Sequence, residues 1–393
     1  MDWLLGTSDL YNVAYQNPIA ARCVDKIGQA LAGLPIEVYQ AGNGDPKPVE
    51  KHPLLDIFNR RSNDEDSGAQ VKYVMGALMA SYAQMYVRGV RITSGISEIE
   101  VVGPAGWTVM RDKMTGELQG YKYQSANRGE IPFVKEANGW CAVRRVIRRR
   151  ANDRDKAASP VEMAGRDIEE NNEIRTYSKG LFKRFGRRPG MLTYPADASI
   201  TKEQAAEVKG RFRDHFDEDK TGALPMVLGA GALYNELGAS ASDMQALDVR
   251  NTTARETCFV MGVPPVLLGI AGDSTYNNQA EANAAFYRDT IRPLGNLIAA
   301  ELTSWLQPVY PGLELRFNYS SDAASQYDEG LRWDRVGKLK GIATVDEQRE
   351  LVGYGKVKDI VDDGDGSVIF VTGADVPLSE AVTPVMTDTS APL

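Results

Sequence analysis

Only two histidines, His52 and His215, occur in 393 residues. That scarcity argues against a His-based triad or a His-rich metal site. His52 precedes Pro53 in a turn and His215 stands among charged residues, so both are expected at the surface. The three cysteines, Cys23, Cys141 and Cys258, lie far apart with no Cys-x-x-Cys pair. An odd number at such spacing favours reduced, buried thiols over disulfides or zinc. No apolar run reaches the roughly 18 residues of a membrane-spanning helix, so no membrane partner is expected. The stretch "MDWLLGTSDLYNVAYQ" lacks the basic start and long apolar core of a signal peptide. The chain is therefore expected to be made and kept in the cytosol, or in whatever assembles there. Positive charge is in deficit too, with 45 Lys and Arg against 53 Asp and Glu, a net charge of −8. A protein that clamps DNA over a broad basic face reads the other way, because phosphate neutralisation supplies most nonspecific affinity. The balance excludes tight holding but not close passage.

The common catalytic signatures are missing as well. No G-x-x-x-x-G-K-[ST] loop occurs, and "GAGALYNELG" lacks the third glycine of a dinucleotide fingerprint and reads as a hairpin turn. "DEDKTG" and "DDGDGS" lack the full ligand set of a calcium loop. No pair of carboxylates stands isolated in an apolar context suited to acid–base work. No catalytic residue, cofactor, metal or internal repeat is expected.

What is present is an ordinary globular balance of 43% apolar and 25% charged residues, with length for two or three segments that each hold a core. Asn17 and Pro18 open a helix over 17–34 with Ile19, Cys23, Ile27 and Leu31 on one side. A strand at "LPIEVYQ", a short helix at "PLLDIF" and a longer one over 69–83 follow. From 84 to 150 the reading is an antiparallel, meandering sheet built from "QMYVRGVRI", "SEIEVV", "WTVMRD", "LQGYKYQ" and "CAVRRVI", with turns at "MTGE" and "SANRGE". "RRVIRRR" (144–150) is a strand with a basic face, open to water, acidic neighbours or phosphate. "RRRANDRDKAA" reads as a charged linker.

The composition then turns helical. Ser159, Pro160 and Glu162 give a capped start, and Val161, Ala164, Ile168, Tyr177, Leu181 and Phe185 form a stripe with a polar gap at Asn171–Asn172. One continuous helix is expected over this segment, ended by Gly186 and Pro189. The cluster Lys183, Arg184, Arg187 and Arg188 suits the dipole at its C-terminus and is a candidate for contact with DNA or a partner. "PGMLTYP" is a strand, and Thr201 with Gln204 caps a shorter helix. "LPMVLGAGALYNELG" is a hairpin-like return. A second long helix from about Ser240 carries Met244, Leu247, Ala254, Cys258 and Met261 on a narrow seam. A third, with Asn278 as cap, runs through Phe286, Ile291, Leu294, Ile298, Leu302 and Trp305, with a kink at or just before Pro293. "LELRFNYS" is a strand that returns to the first domain. Two short helices, one capped by Thr344 with Glu347, precede a mobile acidic tail.

Long helix, compact excursion, long helix, loop, kinked long helix: in this order the chain resembles the portal proteins of tailed double-stranded-DNA phages with a lambdoid-type capsid. Gene transfer agents carry similar portals. The residues that carry the resemblance are "NPIAARCVDKIGQALAGLPIEVY", "HPLLDIFNRRSN", "ASPVEMAGRDIE", "SASDMQALDVRNTTARE", "GIATVDEQRELVGYG" and, most specific, "MGVPPVLLG" followed by "STYNNQAEANAAFYRDTIRPL". It covers nearly the whole chain. Two departures are a short N-terminal arm and "FKRFGRRPG" in place of an Asn-Gly where the first long helix ends.

The resemblance implies an α+β portal fold. Its parts would be a wing over 1–158, a stem helix over 159–186, a clip over 187–239 and a second stem helix over 240–262. A tunnel loop over 263–278, a long kinked helix over 279–308 leading into the crown, a strand over 309–330 returning to the wing, crown helices over 331–361 and a mobile tail over 362–393 would follow. It further implies a ring of about twelve copies around a DNA channel, with the tunnel loops converging on the axis. Leu267, Leu268, Gly269, Ile270, Ala271, Gly272, Asp273, Ser274, Thr275 and Tyr276 would be the channel residues. Leu267, Leu268 and Ile270 would pack loop to loop, Gly269 and Gly272 would let the loop reshape, and Asp273, Ser274 and Thr275 would face water or phosphate. Implied partners are the major capsid protein, the large subunit of a terminase, a head–tail adaptor and duplex DNA without sequence preference. The implied place is the portal vertex of the virion, and the host cytoplasm during assembly. Two other readings of the sequence are a metal-dependent DNA-processing enzyme and a capsid or adaptor protein with no channel.

Overall fold

The computed structural model describes residues 14–40, 46–92, 95–125, 129–183, 190–193, 201–215, 233–236, 241–270, 276–339, 342–356, 370–371 and 376–377. Helix α1 (Pro18–Ala32) starts where its sequence says it should. The Asn17 side chain accepts hydrogen bonds from the Ile19 and Ala20 N–H groups at 2.9 and 3.2 Å, and Pro18 sits where no N–H is needed. Cys23, Ile27 and Leu31 are buried, against helix α3 (Gly68–Tyr82) among others. The two helices meet at glycines: a Cβ on Gly76 would lie 2.9 Å from the Gly28 Cα, so a larger residue at either position would push the helices apart. Between them α2 (Pro53–Asn59) is capped by His52, whose Nδ1 accepts from the Leu54 N–H at 3.2 Å. His52 is thus a half-buried capping residue rather than a free surface one. Its ring stands edge-on to Tyr310, and burial lowers its pKa.

The strands form more sheets than the sequence suggests. Strand β1 (Ile36–Gln40) lies between β2 (Lys47–Pro48) and β13 (Leu313–Phe317), all antiparallel, with Ile36 opposite Phe317. The late strand therefore does return to the N-terminal region. The expected single meander is two three-stranded sheets. Strand β3 (Gln84–Ile92) is flanked by β4 (Gly95–Val102) and β8 (Val143–Ile147), and β6 (Leu118–Ser125) by β5 (Trp107–Arg111) and β7 (Gly129–Val134). Strand β7 was not anticipated: its first residues read as a turn, and Pro132 argues against a strand. Pro132 is tolerated because β7 is an edge strand. The charged linker is also corrected, since Arg149–Arg150 (β9) and Asp153–Ala157 (β10) pair as a ribbon. Arg150 donates to the Ala157 carbonyl at 2.9 Å and to the Glu162 carboxylate.

The first long helix is not continuous. A short helix α4 (Pro160–Met163) ends at Ala164, where ψ is 3°, and α5 (Gly165–Lys183) starts anew. Ser159 caps α4, accepting from the Glu162 N–H at 3.1 Å and donating to the Ser81 carbonyl at 2.6 Å. Glu162 is drawn to Arg150 instead of reaching back to the cap. Val161, Ala164 and Ile168 are buried as expected, but Tyr177 is 47% exposed. The side chains of Leu181 and Phe185 lie outside the described residues. Strand β11 (Gly190–Thr193) pairs antiparallel with β12 (Leu233–Glu236). The expected local return over 224–238 is therefore a long-range pairing in its described part. Helix α6 (Lys202–His215) has the reciprocal Thr201 and Gln204 cap, at 3.3 and 3.1 Å.

Helix α7 (Ala241–Met261) buries Ala254, Cys258 and Met261. Helix α8 (Tyr276–Phe286) begins two residues before Asn278, which lies inside the helix and is not its cap. Before Pro293 the helix passes through a π turn (Tyr287–Ile291) and continues as α9 (Arg292–Leu306). The wide turn answers the expected kink, because Pro293 has no N–H to bond Asp289 and its ring needs room there. Helix α10 (Ala323–Lys338), at 16 residues, is longer than expected. Helix α11 (Val345–Leu351) has its full Thr344–Glu347 capping box. Within the tail only β14 (Phe370–Val371) and β15 (Val376–Pro377) are described, and they pair antiparallel. The expectation of a mobile tail otherwise lies outside the described residues.

One hydrophobic core runs through these parts: Cys23 and Leu31 of α1, Met75 of α3, Ile99 of β4, Ile168 of α5, Cys258 of α7 and Ile298 of α9 belong to it. The three cysteines are free and buried. The Cys23 thiol's hydrogen bond to Cys258 and its burial push its pKa up, so it stays protonated. The Trp305 indole N–H donates to the Cys141 carbonyl at 2.7 Å, and Arg144 bridges to Glu301 at 2.6 Å, tying α9 to the β8 sheet.

Lys72 is the odd member of this interior. It is 4% exposed and donates to the Leu34 carbonyl at 2.6 Å, and burial lowers its pKa to about 8. Between pH 8 and the ordinary lysine value of 10.5 the unfolded chain holds a proton that the native chain does not, so stability rises with pH across that window. Lys72→Met is expected to raise stability at pH 7 by about 1–2 kcal/mol, the gain in removing the charge offset by the lost bond to Leu34. Urea unfolding at pH 7 and pH 10 checks this, since the variant should lose the wild-type rise.

Candidate channel loop and its anchorage

Helix α7, which leads into the loop, is held in register with α5 by buried amides. Asn171, 1% exposed, donates to the Arg250 carbonyl and the Thr253 hydroxyl, both at 3.1 Å. Its own Oδ1 accepts from Asn17 Nδ2 at 3.2 Å, and Asn17 also reaches Asn172 Oδ1 at 3.1 Å. The Asn171–Asn172 stretch read from sequence as a polar gap is therefore a polar joint between α1, α5 and α7. Helices α5 and α7 run antiparallel, because β11 follows one, β12 precedes the other, and these strands pair.

At the end of α7 the chain turns through a Schellman motif. The Gly262 N–H bonds the Phe259 carbonyl at 3.1 Å and the Val263 N–H the Cys258 carbonyl at 2.9 Å. Gly262 has φ +71°, which a glycine adopts at no steric cost. From the π turn well inside the next helix Thr290 donates to the Gly262 carbonyl at 2.6 Å, so the base of the loop, where α7 ends, is closed onto that helix. Val263 is buried at 1% exposure. Pro264 and Pro265 then lead into a 3-10 turn (Pro265–Leu268), closed by Gly269 at φ +73°. The Ile270 N–H returns to the Pro265 carbonyl at 3.3 Å.

Leu267, Leu268 and Ile270 are half-buried against the main core of their own chain. The fold gives them an anchoring role within one protomer; the packing of loop on loop that the resemblance implies would use the faces left exposed. Gly269 is exposed. Ala271, Gly272, Asp273, Ser274 and Thr275 lie outside the described residues, and Tyr276 begins α8. Of the basic candidates, Lys183 ends α5, and Arg184, Arg187 and Arg188 lie outside the described residues. Among the described residues no three of His, Cys, Asp and Glu converge as a metal-ligand set, and no helix is long and apolar enough to cross a membrane.

The model of the phage portal protein family matches residues 18–353. The chain belongs to the phage portal protein family. It is 26% identical over 349 residues to an uncharacterised protein of Rickettsia bellii (strain RML369-C), spanning 88% of both. It is 21% identical over 340 residues to the portal protein of Enterobacteria phage HK97, spanning 84% of this chain and 76% of that one. Among solved structures it is similar to a chain from the neck of a native gene transfer agent particle computed with C12 symmetry. That likeness has a TM-score of 0.65 and 26% identity, over 89% of this chain and 94% of the other. An HK97-family portal protein from Corynebacterium diphtheriae shares the fold, with a TM-score of 0.56 and 11% identity, over 80% and 95% of the two chains. The portal resemblance drawn from "MGVPPVLLG" and its neighbours thus holds, as does the α+β portal fold.

The portal chain's long kinked helix is fixed to the helix after it by a charged joint that the sequence did not disclose. Arg292 donates to both oxygens of Asp322 at 2.8 Å, and the Asp322 side chain is fully buried. Asp322 also caps α10, accepting from the Ser325 N–H at 2.7 Å. Tyr319 completes the joint, its hydroxyl donating to the Arg292 carbonyl at 3.2 Å. Burial opposes ionisation of Asp322, but the bonds from Arg292 and the Ser325 N–H outweigh it and hold the carboxyl below its usual range. The signal in the sequence was Asp322 three residues before Ser325, a cap with no visible partner.

Two outcomes follow from these joints. Because the Asp322 pKa is depressed on folding, the stability it confers is fully present above the unfolded value of about 3.9 and is lost as pH falls through the lower folded value. Asp322→Asn should cost about 2–3 kcal/mol at pH 7 in denaturant unfolding, with the gap to wild type closing in strong acid. At the loop, a Cβ on Gly262 would meet Thr290 Oγ1 at 2.7 Å, whereas one on Gly269 would meet nothing within 4 Å. Gly269→Ala should cost only the left-handed backbone penalty of about 1–2 kcal/mol. Gly262→Ala should cost more, and equal losses in thermal unfolding would refute the closed base.

Proposed function

We propose that this portal chain assembles into a closed ring of about twelve copies at one capsid vertex, through which duplex DNA enters on packaging and leaves on ejection. The observation that carries the proposal is the loop base. The end of one long helix, at Gly262, is locked onto the π turn inside the next by Thr290, in a chain that matches the portal family from residue 18 to residue 353. The C12 symmetry of the similar gene transfer agent neck supports the ring and its order. In this reading α5 and α7 are the stem, the residues between them the clip, and residues 263–278 the tunnel loop. The clip would receive the terminase large subunit and later the head–tail adaptor, and the rim would meet the major capsid protein.

The chain would do no chemistry of its own. The net charge of −8 fits that task. A wall that repels phosphate lets a long polyanion slide, while a wall that binds it would hold it. Asp273 of the tunnel loop is the acid placed to do this in the proposed ring.

Negative-stain microscopy of the purified protein, with particle mass measured alongside, tests the ring. Rings with a central hole and about twelve-fold symmetry are expected, and a compact dimer would overturn the reading. In an assembly system Asp273→Lys should then slow DNA packaging severalfold, and unchanged packaging would remove the sliding argument while leaving the ring intact.

A further inference from the structure

Helix α7 carries one side chain its own protomer does not use. Phe259 is 86% exposed, while Ala254, Thr257, Cys258 and Met261 around it are at most 4% exposed. At 100° per residue it points away from the face that those four bury. A large aromatic so exposed on a helix beside a buried seam marks a contact surface. On the adjoining helix there is a cleft of about 440 Å³, lined by Gly165, Ile168, Asn172 and Thr176 together with the carboxylates Glu169 and Glu173. Ile168, 1% exposed, belongs to the main core and gives the cleft an apolar wall.

The register of the stem relates the two features. Asn171 sits level with residues 250–253 through its bonds to Arg250 and Thr253. The helices are antiparallel, so Phe259, six to nine residues further along α7, is level with about residues 162–165 of the other strand of the stem. Arg255, one turn before Phe259 on the same side of α7, is level with about residues 166–169. A closed ring relates neighbours by pure rotation with no rise along its axis. In the proposed ring, with the stem helices running along its axis, a knob on one flank meets what lies at its own height on the next copy, and at the height of Phe259 and Arg255 stand Gly165 and Glu169.

We propose that Phe259 of each protomer inserts into the Gly165–Ile168–Thr176 cleft of a second copy of this chain, with Arg255 facing Glu169 across the seam. The contact rests on the ring reading and adds the residues that close it. It is heterologous, knob on one flank and hole on the other, which is the kind of interface that generates rings. It also lies directly before Gly262, so closing the ring fixes the position of the loop base in each copy relative to the next.

The test compares wild type, Phe259→Glu and the double variant Arg255→Cys/Glu169→Cys, which joins the two positions that face each other across the seam, by mass measurement, microscopy and non-reducing electrophoresis. Phe259→Glu should fold with an unchanged melting temperature, since the residue is exposed, and lose the ring by at least about tenfold at fixed protein concentration. The double variant should give a ladder of disulfide-linked chains under mild oxidation, and each single cysteine variant should not. Rings of Phe259→Glu at wild-type yield, or no ladder from an assembled double variant, would overturn the interface while the ring stands. A wild-type chain that never forms rings would overturn the portal reading itself, and this contact with it.

Discussion

The arrangement turns on a few amides that have no water to fall back on. Asn171 is buried, and an unmet donor there would cost on the order of 1–3 kcal/mol. It therefore accepts only the alignment of α5 and α7 that brings the Arg250 carbonyl and the Thr253 hydroxyl within 3.1 Å. Sliding one helix past the other by a turn would keep apolar contact along the seam but break these bonds. Apolar packing brings the helices together, and the polar joint selects one register among several. Asn17 extends the choice to α1, because the same side chain that caps α1 donates to Asn171 and Asn172.

From that register the position of the loop follows. Helix α7 can end only at Gly262, where a left-handed residue is needed and the Thr290 hydroxyl takes up the carbonyl. The first half of the loop then has little freedom, with two prolines, a 3-10 turn and three aliphatic side chains set against the core. On the far side Arg292 and Asp322 hold the kinked helix to α10. A charged pair without solvent is a weak source of net stability but a strong source of specificity, since every misplacement leaves a charge uncompensated. The same logic appears between α5 and α7 and again at the middle of the kinked helix: apolar area for cohesion, a polar joint for position.

Much of this was legible in the sequence wherever the determinant is local. Asn17, Ser159, Thr201 with Gln204, and Thr344 with Glu347 announce helix starts through side chains that bond their own next turn, and all four cap, Ser159 without the return bond from Glu162. The order of long helices and the proline-interrupted loop were legible as a family pattern. What escaped depends on distant residues. Strand β7 exists because β6 offers it an edge, and the ribbon at 149–157 because Arg150 finds Ala157 and Glu162. The break at Ala164 frees Glu162 for that arginine, and nothing in "SPVEMAG" alone requires it. Asn171 looked like a defect in an apolar stripe because its partners lie about 80 and 155 residues away.

A loop that lines a channel must satisfy two demands that pull apart. It has to be placed to within a side chain's width in every copy, and it has to yield when cargo moves. The fold separates these demands along the sequence. Placement is assigned to Val263 through Ile270, whose aliphatic groups rest on the protomer's own core. The loop base is consequently formed in a single chain before any ring closes, and ring closure need not supply the energy that shapes it. In the proposed channel that leaves the residues after Ile270 to meet the cargo. The Cβ position of Gly269 is open space, so glycine is there for the left-handed backbone that closes the 3-10 turn and not for a close contact.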